Sequence, residues 1–168
     1  MCHQEPRTAA TPVAWAVLLT LAAVLAATPA AAADDEAKAV ATKALDAGAA
    51  MFDARDAKGL AATYTDDAVL TVVTRDSSTK ELKKEVKYGR AQIEEYYQTI
   101  VKPDSTFHAK NHVEFASFAG DDVLLVGGHF VPDTTNGLAL NLKFLQARVK
   151  QGDSWKIMNM QVFLAPNE

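Results

Sequence analysis

Apolar residues recur every three or four positions between residues 34 and 55, which predicts one long amphipathic helix. Val40, Ala44 and Met51 fall on its apolar side. Acidic residues at 34–36 lie where the dipole of a helix N-terminus favours negative charge.

A shorter helix and a pair of strands are predicted next. Asp56 can cap a helix that ends near Tyr64. The β-branched run 69–74 predicts a strand, and the charged run 80–88 predicts a second strand at a sheet edge. Apolar residues on one side of 91–101 predict a third helix.

The rest of the chain alternates between apolar runs and turn signals, which predicts four strands. They cover 107–118, 123–131, 138–150 and 155–164, with Gly-Asp turns before the second and the fourth. Because the last three connections are short, the sheet should be largely antiparallel. We therefore expect one α+β domain over residues 34–168.

Residues 1–33 are typical of a secretory signal peptide. The apolar run 13–27 is shorter than the ~20 residues that a membrane-spanning helix needs. Ala31 and Ala33 satisfy the small-residue rule for cleavage, so we expect cleavage after Ala33 and a secreted or periplasmic protein with no membrane attachment. An N-terminal anchor that is not cleaved is the alternative.

Composition excludes several chemistries. The only cysteine of the 168 residues is Cys2, which lies in the leader, so the mature chain has no disulfide and no thiolate nucleophile or ligand. The net charge is -4 and no basic stripe is present, which argues against a nucleic-acid partner.

Three motifs, together with the element order, carry a resemblance to a known superfamily. They are YTDDAV at 64–69, GRAQI followed by two tyrosines at 89–97, and WKI at 155–157. In this order they resemble the nuclear-transport-factor-2-like superfamily, which includes ketosteroid isomerases, SnoaL-type cyclases and the association domain of calcium/calmodulin-dependent kinase. Within it, the chain looks most like small SnoaL-like proteins of the SgcJ/EcaC type.

The resemblance implies a cone, in which a curved, mostly antiparallel sheet wraps around three helices from the N-terminal half. Its open end is an apolar pocket, the usual place for a small hydrophobic or amphipathic molecule. We expect no cofactor, and a homodimer is the expected assembly. Fold alone does not assign the activity.

Catalysis of the isomerase type needs a carboxylate base early on the first strand. The resemblance places Val72 or Val73 at that position, and Leu145 near the position of the oxyanion partner. An isomerase, cyclase or dehydratase activity with His129 as the base therefore remains an alternative to simple ligand binding.

The histidines of the mature chain differ in their surroundings. His108 and His112 would be ~13 Å apart along a strand, too far to share a metal ion, so we expect no metal site. His129 follows Gly127 and Gly128 on an apolar strand, where glycines mark a bend or a close approach. It is a candidate pocket residue, with a structural or surface histidine as the alternative.

Further candidates for ligand binding lie on the last two strands. Asn141 interrupts an apolar run, and period-two alternation places Trp155, Asn159 and Gln161 on one face. If that face lines the cone, the two amides can orient a ligand, whereas the opposite register makes them a polar outer face or dimer interface. Tyr64 is a further candidate, with packing in the core or at the rim as its alternative.

The other face of the last strand suggests a third function. Met158, Met160 and Val162 would form an apolar stripe able to join two copies symmetrically. A homodimeric association module is therefore a third hypothesis, and it is compatible with the first two.

Overall fold

A computed structural model of the protein describes residues 30–76, 78–102, 108–132 and 140–166. The element order in this part of the chain is helix, short helix, two strands, helix and four strands, which confirms the predicted order. The elements are α1 (Ala30–Asp53), α2 (Ala57–Ala62), β1 (Tyr64–Arg75), β2 (Leu82–Tyr88), α3 (Gly89–Ile100), β3 (Ala109–Phe118), β4 (Val123–Pro132), β5 (Leu140–Gln151) and β6 (Ser154–Pro166).

All six strands belong to one curved, unclosed sheet of order β2-β1-β6-β5-β4-β3. Only the β1–β6 pair is parallel, and the other neighbours are antiparallel. Strand β2 lies at an edge, as predicted, and most of its charged side chains are exposed. No helix among the described residues is both long and apolar enough to cross a membrane.

The helices cover one face of this sheet. Helix α1 packs against β3 and buries Ala37, Ala41 and Leu45. Asp56 caps the N-terminus of helix α2, because its carboxylate accepts a hydrogen bond of 2.7 Å from the backbone nitrogen of Gly59, so the predicted cap is confirmed. Helix α3 contacts α2 and β1, and buries a single isoleucine completely.

The register of the sheet defines which side chains face the helices. One inner row runs across the five strands from β1 to β3, and all of its members are buried. They are Leu70, Met160, Gln146, Val126 and Ala116.

A β-bulge at Met158 changes the alternation of side chains along β6. Arg148 pairs with Ile157, but the preceding residue Ala147 pairs with Asn159, so Met158 is the extra residue. Ile157 and Met160 are both buried, while Met158 is 44% exposed. On β6, the odd-numbered residues before the bulge therefore face inward, whereas after the bulge the even-numbered residues do so.

The glycine pair in β4 marks close approaches, as predicted. A β-carbon on Gly127 would meet the ring of Phe115, and one on Gly128 would meet the backbone carbonyl oxygen of His112. Strand β3 carries its own register shift at this level, between Val113 and Phe115. The absence of side chains at Gly127 and Gly128 therefore lets β3 pack tightly against β4 at this level.

Candidate functional site

A cavity of about 340 Å³ lies between the three helices and the inner face of the sheet. Its lining is mainly apolar. The residues that line it are Ala44, Leu45, Gly48, Ala49, Phe52, Leu60, Thr63, Leu70, Tyr96, Tyr97, Ile100, Asn111, Phe130, Leu142, Gln146, Arg148, Ile157, Met160, Val162 and Leu164.

The cavity has a buried polar end formed by strand β5. Gln146 and Arg148 are both inner-face residues, with exposed fractions of 5% and 4%. The Arg148 Nε donates a hydrogen bond of 2.8 Å to Oε1 of Gln146, and Nη1 donates one of 3.2 Å to the carbonyl oxygen of Trp155. The Gln146 Nε2 lies 3.6 Å from the sulfur of Met160.

Within the described residues, the positive charge of Arg148 has no carboxylate within 4.0 Å. Burial lowers the pKa of Arg148 to about 10, because the low dielectric disfavours the charged form. That value still leaves the guanidinium protonated at neutral pH. The cavity thus contains a buried cation whose hydrogen-bond acceptors among the described residues are two neutral oxygen atoms.

Two tyrosines meet beside this polar end. The hydroxyl groups of Tyr64 and Tyr97 are 2.8 Å apart, and the Tyr64 hydroxyl also donates to the Met160 sulfur at 2.9 Å. Burial raises the pKa of Tyr64 well above its usual range and also raises the pKa of Tyr97. Both phenols are therefore neutral hydrogen-bonding groups at neutral pH.

A further polar side chain lies among the apolar lining residues. Asn111 of β3 pairs with Phe130, and its Nδ2 donates a hydrogen bond of 2.7 Å to the carbonyl oxygen of Leu45. In the described part of the chain, its Oδ1 is buried without a hydrogen-bond partner. This oxygen is available to accept a hydrogen bond from a ligand.

His129 lies on the outer face of the sheet, which corresponds to the surface alternative considered from sequence and not to the pocket placement. Val126, Gly128 and Phe130 take the inward positions of β4, so the alternation directs His129 away from the cavity. Its Nδ1 lies 3.0 Å from a carboxylate oxygen of Glu114, and its ring centroid is 4.9 Å from that of His112.

Asn159 and Gln161 also lie on the outer face. Sequence alternation grouped them with Trp155, but the bulge at Met158 separates the two ends of the strand. Trp155 faces inward and its ring packs 5.7 Å from that of Phe118, outside the cavity lining.

The two remaining candidates have different positions. Tyr64 is buried behind the lining and reaches it through its hydroxyl contacts with Tyr97 and Met160. Asn141 pairs with Ala165 through the backbone, and its side chain lies outside the described part of the structure.

The described lining contains no carboxylate, imidazole or thiol group. Elsewhere in the described ranges, His108 is 3.2 Å from Asp53, and no three potential metal ligands come together. The chemical character of the site is thus apolar, with neutral amides and phenols and one guanidinium.

Gln146 and Arg148, which give the cavity its polarity, were not among the candidates chosen from sequence. The signal in the sequence that could have indicated them is their spacing, because they continue the period-two series begun by Leu142 and Phe144. The alternate series in the same strand contains Leu145 and is equally compatible with burial.

No protein-family model matches the chain, and no curated protein matches it. Among solved structures, a nuclear-transport-factor-2-like protein of unknown function from Shewanella oneidensis has a TM-score of 0.59 at 12% identity, covering 75% of this chain and 98% of that one. A ketosteroid isomerase-like protein from Erwinia carotovora atroseptica has a TM-score of 0.53 at 20% identity, covering 75% and 94%.

A third similar structure is described as a putative calcium/calmodulin-dependent protein kinase II association domain from Xanthomonas campestris. It has a TM-score of 0.54 at 21% identity and covers 74% of this chain and 84% of that one. At these identities the comparisons establish the architecture and leave the activity open. The chain therefore has the nuclear-transport-factor-2-like fold.

Proposed function

We propose that this protein binds a small hydrophobic or amphipathic molecule in the cavity between its helices and the inner face of its sheet. The observation that carries the proposal is the cavity itself, about 340 Å³ in volume and lined mainly by apolar side chains. Ligand pockets of ~300–1,000 Å³ with a few convergent polar groups are the usual sites for small molecules.

Burial of the lining residues indicates how a ligand would lie. Leu60, Leu70 and Met160 are less than a tenth exposed, whereas Ile100 is 37% exposed. The cavity is therefore accessible near the end of α3 and closed near the polar groups of β5. The apolar part of a bound ligand would exchange water contacts for contacts with aliphatic and aromatic side chains.

Binding without acid–base chemistry is favoured over the isomerase-type alternative. That alternative depends on His129 as the base, and the His129 ring lies on the outer face with its Nδ1 3.0 Å from a carboxylate oxygen of Glu114. A base must come within hydrogen-bonding reach of the proton that it abstracts. The described cavity lining offers no carboxylate or imidazole for that role.

Export is part of the proposal and depends on the sequence of residues 1–33. Helix α1 begins at Ala30, so cleavage after Ala33 would remove its first four residues, about one turn of its 24 residues. The buried contacts of Ala37, Ala41 and Leu45 lie beyond the cleavage point. Cell fractionation and the intact mass of the mature protein test this; a full-length chain retained in the cytoplasm contradicts it.

Calorimetric titration with 1-octanol tests the binding proposal. Gly48 lines the cavity, and a β-carbon added there has no other atom within 4 Å, so Gly48→Phe places an aromatic ring where the ligand would lie. Ala47→Phe adds the same ring to the exposed side of the same helix and is the matched control.

We expect 1-octanol to bind the wild-type protein and Ala47→Phe similarly, and Gly48→Phe at least ~10-fold more weakly, since the ring removes apolar contacts worth more than ~1.4 kcal/mol. Circular dichroism establishes that each variant is folded. Equal affinity in all three folded proteins would contradict binding in the cavity.

A second candidate function, association of two copies, is favoured by exposed apolar side chains on the outer face. Phe115 and Leu145 flank Gly127 in one row across β3, β4 and β5, and each is nearly half exposed. The stripe suggested from sequence is different, because Met160 is buried and Val162 lines the cavity.

The resemblance to structures described as association domains supports this second proposal. Light scattering after gel filtration tests it: the wild type should be a dimer and Leu145→Glu a monomer, because the substitution buries a charge in an isologous contact. A monomeric wild-type protein at high concentration would exclude the association.

A further inference from the structure

We propose that the molecule bound in the cavity is an amphipathic carboxylate whose anionic group pairs with the guanidinium of Arg148. This inference rests on the proposed function and specifies the chemical class of the ligand. It is carried by the position of one buried cation at the closed end of an otherwise apolar cavity.

The hydrogen bonds of Arg148 leave donors available. A guanidinium has five N–H groups, and within the described residues two of them are used, by Oε1 of Gln146 and the carbonyl oxygen of Trp155. Both interactions hold the plane of the side chain in a fixed orientation. The remaining three N–H groups have the fork geometry that matches the two oxygen atoms of a carboxylate.

The charge of Arg148 also lacks compensation. No Asp or Glu of the described ranges lies within 4.0 Å of it, and its recorded partners are neutral. Burying a charge without a counter-ion is costly, since the loss of hydration is not replaced by an attraction. A ligand carboxylate would supply the missing negative charge in a place where water competes weakly.

The rest of the cavity defines the remainder of the ligand. Along β5, the lining residues lie between Leu142 and Arg148, which are six residue steps or ~20 Å of strand apart. The cavity has a volume of about 340 Å³ and a mainly apolar lining. It suits an extended apolar chain or a slender ring system with its carboxylate at one end.

Neighbouring polar groups are consistent with an anion beside Arg148. Tyr97 lines the cavity, and its hydroxyl lies 2.8 Å from the Tyr64 hydroxyl. Phenolic hydroxyls can donate hydrogen bonds to a carboxylate, whereas a ligand ammonium group would be repelled by the guanidinium. The site therefore selects for negative charge and against positive charge.

The test compares three probes with the same alkyl chain, namely octanoate, 1-octanol and octylamine, by calorimetry on the full chain at pH 7. The wild type should bind octanoate at least ~10-fold more tightly than 1-octanol, as expected for hydrogen bonds to a charged group, and octylamine most weakly. Arg148→Met retains much of the side-chain length without the charge. It should lose the preference for octanoate, so that octanoate and 1-octanol bind this variant with similar affinity.

Two results separate this inference from the proposed function. If the wild type binds 1-octanol and octanoate equally and Arg148→Met changes neither, the carboxylate assignment is overturned while the cavity remains a binding site. If neither probe binds the wild type, both the assignment and the proposed function are contradicted. The wild-type comparison needs no variant, and Arg148→Lys, which keeps the charge, should retain part of the octanoate preference even if Arg148→Met fails to fold.

Discussion

Gln146 and Arg148 are joined by a hydrogen bond of 2.8 Å between Oε1 and Nε, and both side chains are buried on the inner face of β5. The interaction positions a cation within the cavity without neutralising it. An arginine that only stabilised the fold would be expected to have a carboxylate partner in such surroundings. This difference leads to a prediction about stability.

Arg148→Met should leave the free energy of unfolding of the ligand-free protein within about 1 kcal/mol of the wild-type value. The substitution removes hydrogen bonds to Gln146 and to the Trp155 carbonyl group, but it also removes the cost of burying a charge. Urea denaturation measures the difference. A loss of more than about 3 kcal/mol would show that Arg148 is primarily structural.

Gly48→Ala should stabilise the protein by about 0.5–1 kcal/mol, because Gly48 lies within α1 and a β-carbon there has no other atom within 4 Å. Gly59→Ala in α2 is the matched control. There the β-carbon would meet the carboxylate of Asp56, which caps the helix, so this variant should be less stable than the wild type. Thermal denaturation of both variants checks the prediction, and stabilisation by both would contradict it.

Gly128→Ala should destabilise the protein by about 3 kcal/mol or prevent folding, because its β-carbon would meet the backbone carbonyl oxygen of His112 in the paired strand. Gly127→Ala should cost less, about 1–2 kcal/mol, since the obstructing group is the ring of Phe115. That ring is 46% exposed and can rotate away from the added methyl group. Equal losses in chemical denaturation would contradict this account of the close strand contact.

Stability should fall as the pH rises above about 10, partly through Tyr64. Burial raises the pKa of Tyr64 in the folded protein, so the unfolded chain loses this proton first and alkaline pH favours unfolding. Tyr64→Phe should give a shallower decline between pH 10 and 12, by at most about 1.4 kcal/mol per pH unit.

Arg148 provides a control of opposite sign for the alkaline experiment. Its pKa is lowered in the folded protein to about 10 from 12.5, so deprotonation above pH 10 favours the folded state. Arg148→Met should therefore steepen the decline that Tyr64→Phe makes shallower. Urea denaturation at each pH measures both slopes, and slopes that match the wild type would contradict the assigned burial.

The order of helices and strands followed from local patterns, because helical and strand periodicities and Gly-Asp turns are properties of short segments. Local patterns did not predict which side chains of β6 point inward, since the bulge at Met158 shifts the alternation between Ile157 and Asn159. A bulge depends on how β5 and β6 pair over their whole length, and no residue type in this segment marks its position. A strict period of two predicted that Asn159 and Gln161 bind the ligand. Because of the bulge, both residues lie on the outer face of the sheet.

The polar end of the cavity was obscured by the composition of β5. Both alternating series of the strand contain apolar residues: Leu142 and Phe144 in one, Leu145 and Ala147 in the other. Only the pairing of Gln146 with Val126 and Met160 determines which series is buried. Arg148 is a surface residue in one register and a buried cation in the other, so its role depends on the tertiary structure.

Native mass spectrometry of the protein purified from cells that produce it naturally shows directly whether the cavity holds a ligand. The wild-type protein and the Ala47→Phe control should each carry a discrete added mass that is released on denaturation, and Gly48→Phe, whose cavity is filled, should not. Identical spectra for the wild type and a folded Gly48→Phe variant would contradict the conclusion that the cavity is the binding site.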